Sequence, residues 1–136
     1  MSNEIKQILF VCVHNSGRSQ MAEAFFNHMA NGAAIAHSAG THPSHYVNST
    51  VAQAMAETGM DVYANHPRLL SQDMLDSADR VITMGCIVEE SCPANLVPTE
   101  DWGLEDPKSK PLEEVREIRE QVRSKVSALI ADMGIS

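Results

Sequence analysis

Ile8–Phe26, ILFVCVHNSGRSQMAEAFF, joins a strand pattern to a helix pattern through a short polar turn. Ile8, Leu9, Phe10 and Val11 form the continuous apolar run of a strand buried on both faces. Met21, Ala22, Phe25, Phe26 and Met29 then recur at helical spacing. Between the two patterns lie Cys12, Val13, His14, Asn15, Ser16, Gly17, Arg18 and Ser19, a strand-to-helix turn with a cysteine at one end and an arginine near the other. Such a turn is an anion site on physical grounds alone. The amides of a helix's first turn have no intrahelical partner, and the helix dipole adds partial positive charge there. Gly17 is expected to take a backbone conformation closed to other residues, so that the amides from Val13 to Ser19 converge on one centre. Arg18 supplies a planar fork able to grip two oxyanion oxygens. The same field favours thiolate at Cys12, which becomes a nucleophile in contact with the bound oxyanion. An inert cysteine beside an accidental arginine is the competing reading, and the strand, helix, glycine and flanking Ser16 and Ser19 weigh against it.

Outward from this stretch, Asn31-Gly32 is a helix-ending signal and Ala33–Ala36 a short second strand, giving a βαβ start. His37–His45 reads as a loop at that strand's carboxyl end, where open α/β sheets bind ligands. His42 and His45 have HxxH spacing, but without a neighbouring cysteine or carboxylate they read as solvated histidines rather than metal ligands. Val47–Thr58 is expected to be a helix capped by Asn48 and ended by Gly59, with a further short helix within Leu69–Ala78. Val81–Met84 is a third strand and Leu96-Val97 the place for a fourth. Thr99–Pro111 is a polar loop long enough to carry function, with Trp102 as a packing anchor. Leu112–Met133 is an amphipathic helix whose apolar side is Val115, Ile118, Val122, Val126, Leu129 and Met133, with Arg116 and Glu120 offering an exposed i,i+4 pair. Alternating strands and helices imply an α/β fold with a parallel sheet covered on both faces.

A chain of 136 residues is one domain, 1–136. A net charge of −8 argues against nucleic acid or an anionic membrane as partner, so the positive field for an anion has to be local. The N-terminus lacks a basic region and a sufficiently long apolar run, which points to a cytoplasmic protein. Three cysteines, Cys12, Cys86 and Cys92, suit catalysis, redox exchange or metal binding better than a disulfide framework.

The segments VCVHNSGRSQMAEAFF, HSAGTHPS, VITMGC, Cys92-Pro93 and EDWGLEDP (Glu100–Pro107), spread over most of the chain, resemble the low-molecular-weight tyrosine phosphatase superfamily and, within it, the thioredoxin-coupled arsenate reductases. The resemblance implies a three-layer fold with a four-stranded parallel sheet and the oxyanion loop, or P-loop, after the first strand. It implies an oxyanion site built from Val13 to Ser19, with Cys12 as nucleophile, Arg18 as clamp and Asp106, before Pro107, as the acid that protonates the departing oxygen. It further implies a relay in which Cys12 attacks arsenic, Cys86 attacks Cys12 as arsenite leaves, and Cys92 attacks Cys86. Thioredoxin would then reduce the Cys86–Cys92 disulfide, with no cofactor or metal of the protein's own and a monomeric chain.

The physical case for reduction is that arsenate needs two electrons, which two thiols supply on becoming a disulfide. A straight helix would hold the Cα atoms of Cys86 and Cys92 roughly 9 Å apart. A disulfide needs less than about 7 Å, so oxidation requires this segment to be looped. The alternative is a low-molecular-weight protein tyrosine phosphatase that hydrolyses phosphomonoesters through a cysteinyl-phosphate. Against it, Lys108-Ser109-Lys110 follows Asp106-Pro107 where aromatic residues would flank a phenyl ring, and only 4% of the chain is aromatic. A non-catalytic oxyanion or thiol sensor is a third reading, disfavoured by the intact set of Cys12, Arg18 and Asp106. Some members of the superfamily hold a potassium ion. Asn15, Glu23 and Ser38 carry suitable oxygens, but Pro67 and Leu69 stand where further ligands would be sought, so the ion is not carried over.

Overall fold

The computed structural model describes residues 5–84 and 100–135. In chain order the elements are β1 (Lys6–Cys12), α1 (Arg18–Ala30), β2 (Ala34–Gly40), α2 (Ser49–Ala56), α3 (Gln72–Ser77), β3 (Arg80–Thr83), β4 (Glu100–Asp101) and α4 (Leu112–Asp132). The four strands form one parallel sheet in the order β2-β1-β3-β4. Successive connections therefore leave β1 toward opposite edges, and the crevice at its carboxyl end is the switch point where α/β sheets bind ligands. Cys12 is the last residue of β1.

Period-two alternation along β1 divides two cores. Ile8, Phe10 and Cys12 face the larger one, filled by Met21, Phe25 and Phe26 of α1, Val51 and Met55 of α2, and Val115, Ile118, Val122, Val126 and Leu129 of α4. Leu9 and Val11 face a smaller core with Ala39, Leu75 and Val81, covered by α3. Both faces of the sheet are thus used, which is why the first strand reads as an unbroken apolar run. Trp102 is buried and tilted against Phe10 at 5.5 Å between ring centroids, the packing anchor expected of it. Among the described residues no helix is long and apolar enough to cross a membrane.

The helix punctuation follows the sequence. Asn31, in the left-handed conformation at φ 49°, closes α1, and Asn48 caps α2 by accepting from Thr50 N and Val51 N at 2.8 and 3.1 Å. Three expectations change. β2 continues past Ala36 through His37, Ser38, Ala39 and Gly40, because β1 offers paired partners from Leu9 to Cys12 and small residues fit there. Of the stretch expected to be loop, only the part after Gly40 is one. Arg116 does not pair with Glu120; its guanidinium reaches across to Glu57 beyond α2, while Arg119 and Arg123 take Glu120. A carboxylate at the end of the neighbouring helix competes better than one a turn away, because the packing of α2 on α4 already holds it in place. The fourth strand among the described residues is Glu100–Asp101; Leu96-Val97, where one is expected from the sequence, lie outside them.

Candidate active site

The Cys12 side chain is buried at the base of the loop between β1 and α1. Asn15 N donates to its Sγ at 3.1 Å, and Ser19 Oγ, on the first turn of α1, stands 2.8 Å from it. Asn15 Nδ2 donates to the same Ser19 oxygen at 2.8 Å. An amide and a hydroxyl thus converge on the Cys12 sulfur at the N-terminal end of α1.

Arg18 is buried, and its Nη1 donates to Met84 O and, at 2.9 Å, to Leu104 O. These carbonyls fix one nitrogen of the fork. Nη2 lies 3.9 Å from Asp106 Oδ2, whose side chain is about half exposed. Asp106 Oδ1 accepts from Lys108 N at 3.0 Å, so the carboxyl is oriented by its own turn. Carboxyl and guanidinium therefore meet at the mouth of the loop that holds Cys12.

Gly17 stands at φ −144° and ψ −92°, away from the strand and helix regions, and the left-handed residue of the loop is Asn15, at φ 50°. What Gly17 provides is space: a Cβ there would stand 2.7 Å from Pro107 Cγ. The missing side chain lets the Asp106-Pro107 turn settle against the loop between β1 and α1. Gly40, at the end of β2, does the same from the other side, since a Cβ on it would meet Val13 O at 2.6 Å and Asn15 N at 2.9 Å. The loop after Gly40 then fastens the rest: His42 N donates to Val13 O, Ser44 N to His14 O and Asn48 N to Ser16 O, all within 3.0 Å. His14 Nδ1 contacts His42 O at 3.1 Å. Three of the loop's carbonyls are thus tied to the segment after β2, while Asn15 N turns to the Cys12 sulfur.

The structure thus brings together Cys12, Arg18, Asp106 and the loop from Val13 to Ser19. Cys86 and Cys92 lie outside the described residues. Asn15 Oδ1 accepts from Arg68 N at 2.8 Å and meets Gln20 Nε2 at 3.3 Å, so it faces two donors rather than a cation and does not fit a potassium shell. His42 Nδ1 lies 3.3 Å from Thr41 Oγ1 and the His45 ring tilts against Tyr46, so the HxxH pair is engaged with its own loop. Gly40, Gln20 and Asn65 are supporting residues to which pattern reading gives no role, and Pro107 enters it only as the mark of Asp106. Gly40 and Gln20 lie within the segments HSAGTHPS and VCVHNSGRSQMAEAFF, whereas Asn65 lies in none of them.

A family model described as low molecular weight phosphotyrosine protein phosphatase matches residues 7–135. A Halobacterium salinarum protein named "Putative arsenate reductase" is 41% identical over 130 residues, covering 92% of this chain and 91% of that protein. Among solved structures, an arsenate reductase in the phosphate binding state superposes with a TM-score of 0.82 at 36% identity, covering 97% of this chain and all of the other. The Corynebacterium glutamicum thioredoxin-dependent arsenate reductase gives a TM-score of 0.82 at 31% identity, covering 98% of this chain and 64% of that one. With the sheet order, the loop after β1 and a match over nearly the whole length, the chain belongs to the low molecular weight phosphotyrosine protein phosphatase family.

Proposed function

We propose that this protein reduces arsenate to arsenite by a three-cysteine relay, with thioredoxin returning the oxidised protein to its thiol form. The observation that carries the reading is the sulfur of Cys12 held by Asn15 N and Ser19 Oγ at the base of an oxyanion loop, in a chain that keeps two further cysteines. The relatives named as arsenate reductases support it, one of them bound to phosphate, a tetrahedral stand-in for arsenate. Arsenate would lie against the amides of Val13 to Ser19 and the Nε–Nη2 edge of Arg18, the edge that Met84 O and Leu104 O leave available.

Cys12 thiolate attacks arsenic, and the departing oxygen takes a proton from Asp106, leaving a Cys12–arsenic bond. Cys86 then attacks the sulfur of Cys12. That sulfur–arsenic bond breaks with its electron pair passing to arsenic, which leaves as arsenite. Cys92 attacks Cys86, Cys12 is released as thiolate, and the two electrons spent are recovered when a thioredoxin dithiol reduces Cys86–Cys92. Met84 N donates to Val11 O and Met84 O accepts from Arg18, so the chain leaves β3 at the oxyanion site. Cys86 follows Met84 by two positions, with only Gly85 between them, so about 7 Å of chain at most joins the two.

The phosphatase alternative uses the first half of the same site. Lys110 N donates to Pro107 O and Ser109 is left-handed at φ 63°, so a tight polar turn follows Asp106 where a phenyl-stacking wall would be needed. The test is Cys92→Ser, which should support one turnover of arsenate and accumulate a Cys12–Cys86 disulfide, read by mass spectrometry of the quenched reaction. Sustained turnover with thioredoxin would refute the order of attack.

A further inference from the structure

Gln20 sits on the first turn of α1, one residue beyond the oxyanion loop, and is 2% exposed. A buried side-chain amide needs partners for both its ends. Its Nε2 donates to Asn15 O at 3.0 Å and stands 3.3 Å from Asn15 Oδ1, while its Oε1 accepts from Asn65 Nδ2 at 3.1 Å. Two oxygens on one side and an amide nitrogen on the other allow one orientation, since the reverse would set oxygen against oxygen. Asn15 is itself fully buried and left-handed at φ 50°, a conformation costly for a residue with a Cβ. That conformation aims Asn15 N at Cys12 Sγ and Asn15 Nδ2 at Ser19 Oγ, the two groups that meet the sulfur. Gln20 bonds to the oxygens on the far side of the same residue. The loop bearing Asn65 reinforces the hold, because Arg68 N also donates to Asn15 Oδ1.

We infer that Gln20, braced by Asn65, is a positioning residue that keeps Asn15 in its left-handed turn and so sets the hydrogen-bond donors around Cys12 and its oxyanion. The inference rests on the reading of Cys12 as the base of an oxyanion site; Gln20 acts through Asn15, and none of its hydrogen bonds is to the sulfur. Gln20→Met keeps much of the side chain's length and apolar bulk but removes the amide. The readout is protection of Cys12 by inorganic phosphate against iodoacetamide, alongside KM and kcat for arsenate. Phosphate should protect the variant about tenfold more weakly and KM should rise with it, in a protein that still unfolds cooperatively. Asn65→Ala removes only the brace, and a loss of about threefold in the same direction is expected; it carries the test if Gln20→Met does not fold. Equal phosphate affinity in wild type and variants, including no protection in any of them, overturns the inference even if the wild type reduces arsenate. A tenfold loss in Gln20→Met supports it whether or not arsenate is turned over.

Discussion

Gly17→Ala isolates the contact that sets Asp106 beside Arg18. A Cβ at Gly17 would lie 2.7 Å from Pro107 Cγ and 3.4 Å from Pro107 Cδ. Carbon atoms in comfortable contact stand about 3.5–4.0 Å apart, so the proline must retreat by roughly 1 Å. Its ring cannot fold away as a flexible side chain would, and Asp106 is the adjacent residue, so the carboxyl moves with it. A displacement of about 1 Å of a catalytic group costs on the order of 100-fold in rate, which also falls within the contribution of a positioned general acid. We therefore expect kcat for arsenate to fall about 100-fold in Gly17→Ala. Phosphate protection of Cys12 against alkylation should stay within about threefold, because Asn15 N, Ser19 and Arg18 are not what the methyl group strikes. Adding Pro107→Ala removes the struck atoms and should restore part of kcat. Turnover of Gly17→Ala within twofold of wild type, or no recovery in the double variant, would refute the claim that this contact positions Asp106.

Other outcomes follow from the same geometry. Gly40→Ala should reduce activity more severely than Gly17→Ala and lower stability by about 1–3 kcal/mol, since the added carbon meets the backbone of Val13 and Asn15, which cannot step aside; thermal unfolding and turnover together check it. Arg18→Lys should cost on the order of 100-fold or more in kcat although the charge is kept, because an ammonium cannot bond Met84 O and Leu104 O and still present two donors to an oxyanion; near-normal turnover would remove Arg18 from the site. Hydrogen bonds from Arg116 and then Arg119 hold the Glu57 carboxyl at about 2, below its ordinary 4.5. A carboxylate depressed in the folded state adds stability above its unfolded value and loses it as pH falls from about 4.5 toward 2. The Tm difference between wild type and Arg116→Ala should therefore shrink across that window, and a difference independent of pH would contradict the pairing.

The sheet and the strand-to-helix turn after β1 are legible because their signals are local. An apolar run flanked by a helical period specifies a buried parallel strand and its crossover, and a cysteine, a glycine and an arginine at the turn specify an anion site. Asn31, Asn48 and Gly59 mark their helix ends by side-chain and backbone chemistry that needs no tertiary partner. The misread parts depend on contacts between distant stretches. β2 runs on to Gly40 because β1 offers register partners, which polar residues such as His37 and Ser38 do not announce. Gly17 reads in the sequence as a residue chosen for backbone freedom, and a reason the sequence does not announce is Pro107, ninety positions away and in contact across the site. Asn15 took the left-handed role instead, supported by Gln20 and Arg68. Arg116 chose Glu57 over Glu120 for the same kind of reason.

If an oxyanion loop and three cysteines together pass two electrons to arsenate, NADPH oxidation in the presence of thioredoxin and thioredoxin reductase should depend on arsenate. Wild-type protein should consume one NADPH for each arsenite formed, and Cys12→Ser, Cys86→Ser and Cys92→Ser should each abolish sustained consumption. Phosphomonoester hydrolysis without any arsenate-dependent NADPH oxidation by the wild type, or continued oxidation by Cys86→Ser, would contradict it.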